Sequence, residues 1–109
     1  MNARSKRRLV LMAVLLVGVA SCHKGPRGHR VSLAWRAAQS TRDATVVGYN
    51  VYRRTSPETP YVRIAARIPG TAYEDRLVNS GTTYFYVVTA VDQRGRESGY
   101  STVIRAEVP

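Results

Sequence analysis

The stretch Gly81-Thr-Thr-Tyr-Phe-Tyr-Val-Val-Thr-Ala-Val-Asp92 decides how this chain folds. From Thr82 to Thr89 every residue is β-branched or aromatic, the composition of a strand. Tyr84, Tyr86, Val88 and Ala90 alternate with Phe85, Val87, Thr89 and Val91. A period of two sends the two sets to opposite faces, so one set is expected in a core and the other outside it. Gly81 before the run and Asp92-Gln93-Arg94-Gly95 after it are turn residues that bound the strand.

Similar runs lie on either side: Val31–Trp35, Val46–Arg54, Tyr61–Ala66, Thr71–Glu74 and Ser101–Glu107. Turn-rich segments such as Ser56-Pro57-Glu58-Thr59-Pro60 and Asn79-Ser80-Gly81 separate them, and no helical period survives from Val31 onward. Short strands without a possible disulfide, in a chain of 109 residues, predict one all-β sandwich of two antiparallel sheets around a shared core. Tyr49 and Val51 are expected to point inward together with Tyr84, Tyr86, Val88 and Ala90. Tyr84, just past Gly81, is placed for a corner in which its phenol oxygen meets the upstream backbone.

The segments Val31-Ser-Leu-Ala-Trp35, Gly48-Tyr-Asn-Val-Tyr-Arg53, Thr71-Ala-Tyr-Glu-Asp75 and Gly81–Asp92, followed by Gly95-Arg-Glu-Ser98, resemble a fibronectin type III domain, an immunoglobulin-like sandwich. The resemblance covers about residues 31 to 108. It implies that Trp35 is the core tryptophan of the second strand, that Tyr84 opens the sixth, and that Val78 stands where the family often has leucine. It also implies a first strand, which has no clear counterpart in residues 22 to 30 and is expected to be irregular or missing.

The front of the chain has a different character. Arg4, Lys6, Arg7 and Arg8 precede the apolar run Leu9–Ala20, the order of a secretory signal. As a helix that run would span only about 18 Å, short of a bilayer core of roughly 30 Å. Val19-Ala20-Ser21-Cys22, which contains the chain's only cysteine, resembles the lipobox of bacterial lipoproteins. That resemblance implies cleavage before Cys22, a diacylglyceryl group on its thiol, and a bacterial envelope location; in a Gram-negative cell, His23 in place of aspartate favours the outer membrane. The expected organisation is a cleaved leader over 1–21, a flexible lipidated tether over 22–30 and a domain over 31–109.

Composition narrows function further. The charge is +10, from 17 Lys and Arg against 7 Asp and Glu; without the four basic residues of the leader, 17 − 4 leaves 13 against 7. Those arginines are scattered among strands and loops rather than gathered in a run, and export removes nucleic acid as a partner. No catalytic residue is expected: His23 and His29 fall in the tether, and Glu74 and Asp75, adjacent on a strand, point to opposite faces. Arg94-Gly95-Arg96 reads as a solvated hairpin turn. No cofactor or metal is expected beyond the lipid on Cys22. If Tyr84 and its set face inward, Tyr52, Arg54, Phe85 and Val87 form an outward patch, the expected contact surface for an envelope protein or a glycan. The alternative is a structural spacer without a ligand site.

Overall fold

The computed structural model of the protein describes residues 19–25 and 28–109. The basic cluster and apolar run of the expected leader, residues 1–18, lie outside the described residues. Seven strands form two antiparallel sheets. The first sheet has the order β1-β2-β5, with β1 over Val19–Gly25, β2 over Gly28–Ala34 and β5 over Ala72–Asp75. The second has the order β4-β3-β6-β7, with β3 over Val46–Arg54, β4 over Val62–Ile68, β6 over Thr83–Asp92 and β7 over Ile104–Glu107.

The front edge departs from expectation. Residues read as a tether stand instead in the hairpin of β1 and β2, with Cys22 opposite Val31, His23 opposite Arg30 and Gly25 opposite Gly28. The first strand is therefore present, and β2 begins before Val31. Glycine, proline and charge in residues 22 to 30 suggested loose chain, but an edge strand needs only one partner for its backbone groups, and β2 supplies it. Gly28, at φ 103°, takes the left-handed geometry that the start of β2 requires.

Alternation holds through the centre. Tyr84, Tyr86, Val88 and Ala90 of β6 are buried together with Tyr49 and Val51 of β3, Val31 and Leu33 of β2, Ile104 and Ala106 of β7, Trp35 and Val78. Trp35 meets Tyr49 edge to face, with centroids 5.6 Å apart and planes at 64°, a favoured aromatic geometry. The Tyr49 hydroxyl accepts the backbone N–H of Ala38 at 2.8 Å. The Tyr84 hydroxyl accepts the N–H of Asn79 at 2.8 Å, completing the corner read from the sequence.

Two close backbone approaches shape β3 and β4. A Cβ on Gly48 would lie 3.0 Å from the Cα of Arg67 and 3.2 Å from the carbonyl oxygen of Ile68, so a side chain there would push the backbone of β4 away by a few tenths of an ångström. Arg67 itself has φ 52°, and the β3–β4 register slips between Tyr49 and Val51. The side chain of Asn50 holds this bulge by accepting the Arg67 N–H at 2.9 Å.

Trp35→Ala removes the largest ring of the core and is expected to lower stability by roughly 3 to 5 kcal/mol in urea denaturation. An unchanged midpoint and slope would show that the ring does not pack between the sheets.

Candidate functional site

The outer face of the second sheet follows from the pairing of β3 with β6. Tyr52 stands opposite Val87 and Arg54 opposite Phe85, so the register brings all four expected contact residues into two adjacent rows. β4 places Arg63 beside Tyr52. Phe85, Tyr52 and Arg54 are half-buried. Val87 is not an exposed contact residue, because it is only 1% accessible and belongs to no part of the core cluster. Asn50, Thr89 and Val91, outward by parity, are buried as well.

Residues 97 to 101 run beside β6, and Glu97 covers Asn50 and Thr89. The N–H of Ser98 donates to the Ala90 carbonyl, while the Ser98 hydroxyl accepts the Ala90 N–H at 2.8 Å. Ser101 repeats the pattern on Val88, with its hydroxyl at 2.9 Å. Two hydroxyls thus stand in for strand carbonyls and satisfy the exposed side of β6 without a regular ladder. Between these anchors the chain carries Tyr100, which remains 55% exposed.

Tyr100 collects the other rings. Its centroid lies 5.4 Å from that of Tyr52 and 5.2 Å from that of Tyr61, with interplanar angles of 58° and 66°. The Arg54 guanidinium sits 4.1 Å above the Tyr61 ring, a cation–π contact. Arg54 also donates to the carbonyls of Pro57 and Thr59, each at 3.3 Å. Tyr61 could have been found by parity, since it lies two residues before outward-facing Arg63. Tyr100 could not, because it lies outside any regular strand.

Glu97 is the polar centre of this face. Its Oε2 accepts from Asn50 Nδ2 at 2.9 Å, from Thr89 Oγ1 at 2.7 Å and from the Tyr52 hydroxyl. Burial disfavours the carboxylate, but these three hydrogen bonds and the charge of Arg63 outweigh it and hold the Glu97 carboxyl below its usual range. Burial and the neighbouring Glu97 push the Tyr52 phenol up. The turn after β6 is a separate structural unit: buried Asp92 accepts from the N–H groups of Arg94 and Arg96 and from Arg96 Nε at 2.6 Å. The Arg94-Gly95-Arg96 tripeptide is tied down by that carboxylate, with Gly95 at φ 79°.

Cys22 is half-buried on β1 and packs against the core from the edge of the first sheet, not from the tyrosine face. Among the described residues no three His, Cys, Asp or Glu side chains converge in a way that could hold a metal ion.

Because the folded pKa of Glu97 is depressed, its contribution is full above the unfolded carboxylate value of about 4.3 and is lost as pH falls through the lower folded value. Stability measured by urea denaturation from pH 6 to pH 2 should fall along this limb, and Glu97→Gln should flatten it. An acid limb unchanged in Glu97→Gln would remove Glu97 from the account.

No family model matches the chain. In structure it is similar to an Fn3-like protein from Clostridium thermocellum, at 35% identity and a TM-score of 0.67, covering 84% of this chain and 88% of that one. In sequence it is 36% identical over 72 residues to an amylopullulanase of Thermoanaerobacterium saccharolyticum, covering 66% of this chain but only 5% of the relative. It is 38% identical over 76 residues to a poly(3-hydroxybutyrate) depolymerase of Ralstonia pickettii, covering 70% of this chain and 13% of the relative. The chain thus spans a small fraction of these curated relatives, and it covers most of the Fn3-like protein's chain. With the two-sheet order, the buried Trp35 and the tyrosine corner in place, the chain belongs to the fibronectin type III family.

Proposed function

We propose that the protein is a non-catalytic fibronectin type III module that a lipid on Cys22 holds at a bacterial envelope membrane, where it binds or scaffolds a protein or glycan. The observation that carries the binding role is the gathering of Tyr52, Tyr61 and Tyr100 with Arg54 on one outer face, with Tyr100 more than half exposed. Rings with polar tips and an arginine are the side chains that recognition surfaces favour. The relatives support an accessory role: the amylopullulanase and the depolymerase each contain a stretch like this chain as a small part of their length.

The anchor rests on the order of basic cluster, apolar run and Val19-Ala20-Ser21-Cys22. Cleavage before Cys22 would leave Cys22–Gly25 paired with Gly28–Val31, so the lipid would attach to the sandwich edge itself rather than to a loose tether. The anchor would then lie on the first sheet and the contact face on the outside of the second, so membrane attachment and recognition need not compete for one surface. Two or more acyl chains anchor stably where one binds only marginally. The burial of Val87 reduces the apolar part of the patch and favours the second reading, a spacer that holds no ligand.

Mass spectrometry of the protein from envelope membranes is expected to give an amino terminus at Cys22 carrying diacylglyceryl mass; an unmodified thiol or another cleavage point overturns the anchor. Changing Tyr52 and Phe85 together to Ser is expected to keep the fold by circular dichroism and to abolish crosslinked capture of envelope partners. Undiminished capture would favour the spacer.

A further inference from the structure

We infer that the Tyr52–Tyr61–Tyr100 corner is a binding site for a neutral oligosaccharide, an inference that rests on the reading of this face as the contact surface and names its ligand. The three rings meet at steep angles, 58° and 66°, so they do not cover one another by flat stacking. The chain on both sides of Tyr100 is held to β6 by Ser98 and Ser101, and its ring packs against Tyr52 and Tyr61, an arrangement set before a ligand arrives. The C–H face of a pyranose is weakly positive and complements the negative face of an aromatic ring.

Charge selects the class of ligand. Arg63 lies within electrostatic reach of ionised Glu97, and Arg105 is paired with Glu107 at 2.5 Å. Arg54 is already engaged on the Tyr61 ring and on two carbonyls, while Arg67, whose backbone lies over Gly48 on the same face, is exposed. A polyanion or an acidic peptide would therefore meet cations of which Arg54 and Arg105 are already engaged. A broad apolar protein partner gains less here, because Val87 and Val91 are buried and the exposed apolar side chains of this face are Tyr100 and Val103.

Polar groups around the rings match sugar hydroxyls. All three hydrogen bonds to Glu97 fall on Oε2, which leaves Oε1 as an acceptor among the described residues. The Tyr61 hydroxyl and Arg54 Nε are buried without a hydrogen-bond partner among the described residues, and a buried polar group left unpaired carries a cost that a ligand hydroxyl entering beside Tyr100 would relieve. One ionised acceptor and two unpaired groups around an exposed ring form the pattern of apolar surface with a few convergent polar groups that orients a small ligand.

The test is titration of the full chain with maltoheptaose and with cellohexaose, followed through the tyrosine ring resonances by NMR, with tetragalacturonate as the anionic comparison. Binding of at least one neutral sugar is expected to shift Tyr52, Tyr61 and Tyr100. Tyr100→Ala should weaken it by at least about tenfold, a loss of ~1.4 kcal/mol, and Tyr100→Phe should retain it. Silence with both neutral sugars, binding of tetragalacturonate alone, or undiminished affinity in Tyr100→Ala each overturns the inference. If both neutral sugars are silent while the Tyr52→Ser, Phe85→Ser variant still loses its envelope partner, the ligand class falls and the contact face stands. If that variant also keeps its capture, both fall.

Discussion

Asp75, at the end of β5 and only 3% exposed, joins the two sheets through its carboxylate. Oδ2 accepts from Tyr86 on β6 and from Arg53 Nη1 on β3, both at 2.7 Å, and Oδ1 accepts the N–H of Leu77 at 3.0 Å. Arg53 returns a bond to the Leu77 carbonyl at 3.0 Å and lies 5.2 Å from the Tyr84 ring centroid. The same loop delivers the Asn79 N–H to the Tyr84 hydroxyl. A buried charge is tolerated only when it is paired and hydrogen-bonded, and here a single carboxylate has three donors. Burial, reinforced by Asp75, pushes the Tyr86 phenol well above its ordinary value, so it remains a donor.

This tie sets the phase of β3. Arg53 pairs with inward-facing Tyr86 and reaches Asp75 across the interior, which obliges its neighbours Tyr52 and Arg54 to point outward. A slip of one residue would place the arginine in solvent and leave Asp75 buried without its cation. The tyrosine face therefore owes its existence to a polar contact on the opposite side of the sheet. Gly48 and the Arg67 bulge add a second constraint, since they bring β4 close enough for Arg63 to stand beside Tyr52.

The sandwich was legible in the sequence because period two is robust along a central strand. Tyr84, Tyr86, Val88 and Ala90 had to share a face, and Trp35 and Tyr49 had few other places to go. Exposure on the opposite face was not legible by the same rule. Parity says which way Val87 points but not what lies over it, and residues 97 to 101 are held beside β6 by two serine hydroxyls, a device without periodicity. Tyr100 was missed for the same reason. At the front, Gly25 and the charged residues around it concealed β1, because an edge strand that pairs on one side tolerates residues that a central strand would reject. The outward direction of Tyr52 and Arg54 was legible by counting, and that of Tyr61 was within reach of the same counting.

A double-mutant cycle on Arg53 and Asp75 tests the central claim most directly, using Arg53→Met, Asp75→Leu and the pair together, with unfolding free energies from urea denaturation. If the cross-sheet tie organises the sandwich, each single change strands a polar group and is costly, while the double variant recovers part of the loss, giving a coupling energy on the order of 1 to 3 kcal/mol. Single losses that simply add in the double variant would contradict the account and leave the outward phase of Tyr52 and Arg54 without its cause.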